Sequence, residues 1–155
     1  MNKIKHIAII ALDSKKTELI EWSYFNKNLL TPHQILALGI SANILEGTLN
    51  KKVKTSEAGR LGEHRELCNL IANEKIDAII IFGEAGEILE SKDINAVLQA
   101  AIENNIVVAA NRTTADFIIH SSLMSNEYKA YKKENLPDTN ELAGLGASYP
   151  LAKAS

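Results

Sequence analysis

The chain has 155 residues, a length typical of one folded domain. Hydrophobic residues make up 46% and charged residues 23%, and the formal net charge is −2, so no overall positive field recruits nucleic acid or an acidic membrane. The single cysteine, Cys68, cannot form an internal disulfide, and the apolar run HIAIIAL is too short to span a bilayer and lacks a signal-peptide cleavage pattern. These features predict a single-domain protein of the cytoplasm.

Apolar runs alternate with amphipathic stretches along the chain. In chain order, the predicted elements are a strand at 6–12, a helix at 14–28, a strand at 33–39, a short helix at 41–49, a weak and exposed strand within 51–59, a helix at 60–75, a strand at 76–83, a helix at 91–105, a strand at 106–111 and a final helix. Strands that alternate with helices and are apolar along their whole length predict a parallel sheet covered on both faces. We therefore expect a three-layer α/β/α fold with five parallel strands.

The composition changes after Lys133. The stretch ENLPDTNELAGLGASYPLAKAS is rich in glycine, proline, alanine and serine and shows little periodicity. It predicts an α/β domain over residues 1–133, followed at 134–155 by an extended arm or a loose terminus.

The carboxyl ends of the predicted strands carry small, hydroxyl-bearing and charged residues. Ligands of open parallel sheets bind beyond these ends, where helix N-termini also favour an anion. This edge is expected to bring Lys16 and Arg60 into reach of a ligand, so it suits a phosphate, which arginine can bind bidentately. Helix capping selects the same residue types, however, and both Asp13 and Ser41 fit a cap as well as a ligand site.

The stretch NRTTADFIIHS, which follows the last strand, has the same two interpretations. Thr113 or Thr114 is predicted to cap the last helix, and Asp116 to lie in its first turn, where the helix dipole favours a negative charge. Phe117 and the residues after it are predicted to bury one face of the helix against the sheet. Arg112 is expected to project toward the ligand edge or toward a neighbouring subunit.

Three blocks of the chain resemble the methylglyoxal synthase family. NIVVAANRTTADFIIHS is similar to the family block N-I-P-V-A-T-N-x-A-T-A-D-F-I-I-x-S, KHIAIIALDSKK to the first strand with its H-D-x-x-K turn, and EKIDAIIIFGE to the K-I-D-x-x-I-F-F-x-D strand. The resemblance runs from His6 to about Asn126. It implies a flavodoxin-like sheet of strand order 3-2-1-4-5, a homohexamer, and dihydroxyacetone phosphate as the substrate. In that reaction a carboxylate removes a proton next to the carbonyl, and the resulting enediolate expels phosphate to leave methylglyoxal.

Carried over residue by residue, the resemblance implies a catalytic set. Glu63 falls on the general-base aspartate of the family segment S-G-P-M-G-G-D-Q-Q, which reads SEAGRLGEHRE here, and His64 takes that place if the gap is moved. Asp13 keeps the aspartate of the first turn, and Glu84 replaces the aspartate after the fourth strand. Asp93 is the remaining counterpart of the family's H-D-P-D segment.

The resemblance also implies a phosphate-binding set. Lys16 keeps the lysine of the first turn, while Gly39 and Ser41 keep two positions of the family's T-G-T-T-G loop. Ser56 and Gly59 lie in the segment that leads to the base, and Arg60 beside them has no family counterpart. The predicted partner is therefore a small phosphorylated metabolite or phosphate.

The chain also departs from the family pattern. Leu12 stands where the family turn has histidine, Ser91 and Lys92 occupy the segment of the second histidine, and the late arginine has no clear equivalent. We expect either an enzyme with an altered site and reduced turnover, or a catalytically degenerate domain that binds a small anionic ligand in a regulatory role. The four histidines have no metal-ligand spacing and no nucleotide fingerprint is present, so no metal and no other cofactor is predicted.

Overall fold

Four parallel strands form the central sheet, and they are the apolar runs of the sequence. The computed structural model describes residues 1–130. Its strands are β1 (His6–Ala11), β2 (Gln34–Gly39), β3 (Ala78–Phe82) and β4 (Val107–Ala109). They lie in the order β2-β1-β3-β4, and every neighbouring pair is parallel. The predicted α/β fold with a parallel sheet is confirmed, and the predicted arm at 134–155 lies outside the described residues.

The five strands and the order 3-2-1-4-5 are not confirmed. The segment predicted as a weak strand forms a single parallel bridge, in which Lys54 pairs with Leu36 on the outer side of β2. Lys54 donates its N–H to the Ile35 carbonyl at 2.9 Å, and its carbonyl accepts the Ala37 N–H at 2.8 Å. Lysines dominate this edge segment and Lys54 is exposed, so there is no alternating apolar side to bury that would extend the pairing.

The described residues form seven α-helices. These are α1 (Lys16–Phe25), α2 (Lys27–Leu30), α3 (Ser41–Leu49), α4 (Gly59–Ala72), α5 (Ala85–Glu90), α6 (Lys92–Glu103) and α7 (Arg112–His120), with 3-10 turns at Asp13–Lys15 and Ser122–Ser125. The helix predicted at 14–28 is thus divided into a 3-10 turn, α1 and α2, and α5 was not predicted. None of these helices is both long enough and apolar enough to cross a membrane.

Asp13 does not cap α1, which corrects the prediction made for it. The chain leaves β1 with the Leu12 N–H donating to the Phe82 carbonyl at 2.9 Å, and the Lys15 N–H then bonds back to the Leu12 carbonyl at 2.9 Å. This 3-10 turn inserts three residues before the helix. Asp13 therefore begins the turn, and α1 starts after Lys15 without a side-chain cap.

Two apolar clusters cover the two faces of the sheet. Successive residues of β1 point to opposite faces, so Ile7 and Ile9 join the cluster that contains Trp22, while Ala8 and Ile10 join the cluster under α4 and α6. All five side chains are almost completely buried. Each isoleucine contributes roughly 1.5–3 kcal/mol through burial, which makes β1 the central support of the carboxyl edge.

The cap of α7 differs from the predicted one. Asn111 is the capping residue, and its Oδ1 accepts the Thr114 N–H at 2.8 Å. The Thr114 hydroxyl donates to the same oxygen at 3.0 Å. Asparagine is as good a cap as threonine, and Asn111 is the last extended residue before the helix, so it takes the role predicted for Thr113 or Thr114.

The inward face of α7 is also shifted from the predicted one. Because the helix begins at Arg112, the positions that face the sheet are Ala115 and Ile119, which are buried, with Ile118 packed at their side. Phe117 is 77% exposed, so its predicted burial is wrong. Asp116 lies beyond the first turn, and its Oδ1 accepts the indole N–H of the buried Trp22 at 2.8 Å rather than facing the helix dipole.

Candidate active site

A cleft of about 290 Å³ opens at the carboxyl ends of β1 and β2. Its lining residues are Ala11, Leu12, Asp13, Gly39, Ile40, Arg60, Glu63 and Glu87. A larger cavity, of about 560 Å³, lies at the opposite edge of the sheet beside His6 and Asp77. Parallel α/β sheets bind ligands at their carboxyl edge, so the smaller cleft is the candidate site.

Glu63 is the buried carboxylate of this cleft. It lies one turn into α4 and is 9% exposed. Its two oxygens accept the Gly39 N–H at 3.1 and 3.3 Å. That N–H lies on the outer edge of β2, beyond the Lys54 bridge, so the carboxylate takes the place that a carbonyl of a further strand would occupy. The Glu63 side chain is thereby fixed in position at the mouth of the sheet.

Gly39 has a backbone conformation that requires glycine. Its φ is +65°, in the left-handed region, and an added Cβ would lie 3.1 Å from the Ala11 carbonyl oxygen. The Gly39 N–H, on the β2 side of this turn, donates to Glu63. The predicted phosphate-loop glycine therefore lines the cleft and orients the carboxylate.

Ser41 begins α3 but does not line the cleft. Its side chain is completely buried, and its hydroxyl oxygen accepts the Ala11 N–H at 2.9 Å. The hydroxyl therefore supports the carboxyl end of β1. A serine hydroxyl carries one hydrogen besides its two acceptor sites, so this bond leaves the hydroxyl hydrogen available to another acceptor.

The predicted cations differ in position. Arg60 is exposed in the first turn of α4 and lines the cleft, whereas Lys16 is exposed at the start of α1 and is not part of the lining. Ser56 is held in a local turn, where its hydroxyl bonds the Glu66 carboxylate and accepts the Ala58 N–H at 3.1 Å. Gly59, at φ +73°, starts α4. Of the predicted phosphate-binding residues, only Gly39 and Arg60 reach the cleft.

Glu84 and Glu87 form a reciprocal capping box at the start of α5. The Glu84 N–H donates to Glu87 Oε1 at 3.0 Å, and the Glu84 side chain accepts a backbone N–H in return. Glu84, a predicted catalytic residue, is exposed and does not line the cleft, whereas Glu87 does. Sequence reasoning missed Glu87, although the spacing E-x-x-E directly after a strand is the pattern of a capping box.

Glu87 has a second partner in the loop after β1. The Ser14 hydroxyl donates to Glu87 Oε1. This hydrogen bond, and after it the one from the Glu84 N–H, lowers the pKa of Glu87, with Lys15 adding a smaller effect. Glu87 is thus a carboxylate that connects the loop after β1 to the helix after β3.

Asp93 and His64 lie together outside the cleft. Asp93 is an exposed residue in the first turn of α6, and its Oδ2 is 3.9 Å from His64 Nδ1 on α4. Successive residues of a helix point in directions about 100° apart, so only one of Glu63 and His64 can face the cleft, and it is Glu63. The structure therefore brings together Asp13 and Glu63 of the predicted catalytic set and leaves Asp93 and Glu84 outside.

Leu12 gives the cleft an apolar wall. A Cβ added to Gly83 would lie 2.7 Å from Leu12 Cδ1 and 3.1 Å from Ile88 Cγ1, so the leucine packs directly over the glycine. No histidine is among the residues that line the cleft. Within residues 1–130, no group of three or more histidine, cysteine, aspartate or glutamate side chains is arranged to hold a metal ion.

Arg112, at the start of α7, has a partner on the surface. Its Nη1 donates to Glu21 Oε2 at 3.0 Å, and both side chains are substantially exposed. Arg112 is not among the residues that line the cleft. An exposed pair of this kind contributes at most about 1 kcal/mol to stability.

The fold and the cleft define a class: an α/β protein with a parallel sheet and a carboxylate site at its carboxyl edge. The chain is 38% identical to the methylglyoxal synthase of Coxiella burnetii over 126 residues, which are 81% of this chain and 88% of that protein. It is 37% identical to the methylglyoxal synthase of Yersinia enterocolitica over 124 residues, 79% of this chain and 82% of that one.

A solved structure agrees with these relatives. The crystal structure of methylglyoxal synthase from Elizabethkingia anophelis matches with a TM-score of 0.74 at 29% identity, covering 90% of this chain and 97% of that one. No family profile matches the sequence. The identity and coverage of the relatives nevertheless show that the chain belongs to the methylglyoxal synthase family.

Proposed function

We propose that the protein converts dihydroxyacetone phosphate to methylglyoxal and phosphate, with Glu63 as the general base. The observation that carries the proposal is the buried Glu63 carboxylate, which lines the cleft and is held by the Gly39 N–H. A base must lie in a fixed position beside the proton that it removes. The relatives named methylglyoxal synthase supply the reaction in which such a base acts.

In this proposal the Glu63 carboxylate removes a proton from the carbon that carries the substrate's hydroxyl group. The electrons of that C–H bond move into the carbonyl and form an enediolate, which then expels phosphate from the third carbon. Arg60, which also lines the cleft, provides positive charge for the phosphate. Gly39 is the other predicted phosphate-binding residue that lines the cleft, whereas Lys16, Ser41, Ser56 and Gly59 lie outside the lining.

The length of the base matters for this chemistry. Glutamate is one methylene longer than the aspartate of the family, and a displacement of about 1 Å can lower a rate on the order of a hundredfold. The Gly39 N–H fixes the longer side chain against the end of β2. We expect turnover that is nevertheless reduced, because the cleft lacks an imidazole and the loss of a general acid or base typically costs about 10²–10⁴-fold.

The test is an assay of methylglyoxal and phosphate released from dihydroxyacetone phosphate by the purified protein. Glu63→Gln should lower kcat by about 10²–10⁴-fold with little change in KM, because its amide oxygen still accepts the Gly39 N–H. Glu90→Gln, an exposed residue of α5 outside the cleft, is the matched control. A Glu63→Gln variant with wild-type turnover would transfer the base to Asp13 or Glu87, the other carboxylates that line the cleft.

A second candidate is a domain that binds a small phosphorylated or anionic ligand without turnover. The leucine in place of the family turn's histidine favours it, because Leu12 forms an apolar wall where a proton-transferring group is expected. Calorimetric binding of phosphate or dihydroxyacetone phosphate, together with no release of methylglyoxal, would support this function. The proposal includes a homohexamer in the cytoplasm, and light scattering of the purified protein measures the assembly.

A further inference from the structure

Glu87 is a second positioned carboxylate in the cleft. Its capping-box bond to the Glu84 N–H, at 3.0 Å, is explained by the local structure of α5. The local structure of α5 does not explain the bond from the Ser14 hydroxyl, because Ser14 belongs to the 3-10 turn after β1. The carboxylate is therefore held from two different elements while it lines the same cleft as Glu63.

The proposed reaction needs two proton acceptors. After the C–H proton has gone to Glu63, the enediolate still carries the hydroxyl hydrogen on the same carbon. Expulsion of phosphate requires that this O–H bond break, so that its electron pair forms a C=O bond. The C=C bond then shifts toward the third carbon, and the C–O bond to phosphate breaks with its electron pair on the phosphate oxygen.

We infer that Glu87 accepts this hydroxyl proton as phosphate leaves. The inference rests on the proposed function. After the step, Glu63 and Glu87 each hold one proton. One proton passes to the departing phosphate, which becomes hydrogen phosphate, and the other to the terminal carbon of the enolate, which becomes the methyl group of methylglyoxal. Both carboxylates are then ionised again, and the reaction consumes no external acid or base.

The structure favours Glu87 over the neighbouring carboxylates. Glu84 does not line the cleft, and Asp13 lines it but is exposed on the surface of the turn. Two donors, the Ser14 hydroxyl and the Glu84 N–H, fix the Glu87 Oε1 atom, whereas no such pair of donors within the described part of the chain holds Asp13. Proton transfer requires a positioned acceptor, and these two donors hold Glu87 in the lining of the cleft.

The experiment separates the two proton transfers. The wild-type protein and the variants Glu63→Gln, Glu87→Gln, Asp13→Asn and Glu90→Gln are each incubated with dihydroxyacetone phosphate in deuterium oxide. Deuterium in the recovered substrate reports on C–H removal, and released phosphate reports on elimination. Glu87→Gln keeps the capping box, because glutamine serves at that position as well as glutamate, and thermal melting checks that it folds.

We expect Glu87→Gln to retain deuterium exchange while phosphate release falls about 10²-fold. Glu63→Gln should lose both exchange and release. Ser14→Ala, which removes only the orienting hydroxyl, should lower release roughly tenfold.

Three results would overturn the role of Glu87. Wild-type phosphate release in Glu87→Gln would do so and would leave the role of Glu63 intact. If Asp13→Asn loses phosphate release while Glu87→Gln releases phosphate at the wild-type rate, the role passes to Asp13. A wild-type protein that neither exchanges the proton nor releases phosphate would overturn the proposed function and the role of Glu87 together.

Discussion

Replacing Ser41 with alanine removes the hydroxyl oxygen that accepts the Ala11 N–H at 2.9 Å. Both residues are buried, with Ser41 at 0% and Ala11 at 2% exposure, so water cannot replace the lost acceptor. A buried N–H without a partner costs about 1–3 kcal/mol. In a chain of this size each kcal/mol lowers Tm by about 2–4 °C, so Ser41→Ala should lower Tm by about 2–12 °C.

Ser23 provides the matched control for this prediction. It is also completely buried, but its hydroxyl donates to the Leu19 carbonyl within α1, at 2.6 Å, and contacts the Thr48 hydroxyl at 2.8 Å. Ser23→Ala leaves no backbone N–H without an acceptor, and alanine is the better helix former by about 0.5 kcal/mol. The unfolding free energy of Ser23→Ala should therefore change by less than about 1 kcal/mol.

Urea unfolding of the two variants and the wild-type protein gives both free energies. If Ser41→Ala and Ser23→Ala agree within about 0.5 kcal/mol, smaller than the cost of an unpaired N–H, the support of β1 by Ser41 is refuted. Calorimetric titration of the folded Ser41→Ala protein with phosphate tests the other role predicted for this hydroxyl. A loss of phosphate affinity there would show that the remaining hydroxyl hydrogen reaches the ligand.

Two further predictions concern stability. Asn111→Ala removes the cap of α7 and should lower the unfolding free energy by about 0.5–2 kcal/mol, whereas Thr113→Ala, which leaves the cap in place, should not; equal losses in urea unfolding would contradict the assigned cap. Burial, followed by the charges of Lys5 and Lys51, lowers the pKa of His33, so the unfolded chain binds a proton more readily than the folded one. The unfolding free energy should therefore fall as the pH drops below about 6.5 toward the lowered pKa. His33→Asn, whose side-chain oxygen can still accept the Lys5 N–H, should flatten this slope between pH 7.5 and 5.5, and an unchanged slope would assign the effect to another group.

Much of the fold followed from patterns that depend on burial alone. The runs that became β1 and β3 are apolar at every position after His6, as a strand covered on both faces requires. The fifth, edge strand was not confirmed. Its lysine-rich segment has no continuous apolar run, and it pairs with the sheet only through Lys54. The predicted burial of Phe117 was wrong because the buried positions of α7 depend on where the helix begins. With the cap at Asn111, the buried positions are Ala115 and Ile119.

The site residues that could be predicted are those whose backbone conformation or whose family counterpart is specific. Gly39 is required by its positive φ, and Glu63 is where the resemblance puts the base, and the structure places both at the cleft. Glu87 was missed because its role depends on Ser14, which is distant along the chain and meets it only after β1 and β3 pair. Sequence spacing reveals the capping box but not the cleft that the capping residue faces.

The packing around Leu12 bears on the choice between a working and a degenerate site. A histidine lost without compensation would leave space at the mouth of the sheet, yet Leu12 Cδ1 lies 2.7 Å from the position of an added Gly83 Cβ. The leucine therefore occupies space that the glycine leaves open. Two carboxylates, Glu63 and Glu87, each held by backbone or hydroxyl donors, line the same cleft as this leucine. Two positioned carboxylates are proton acceptors that elimination can use without an imidazole, and they favour the altered enzyme over the ligand-binding domain that Leu12 by itself favours.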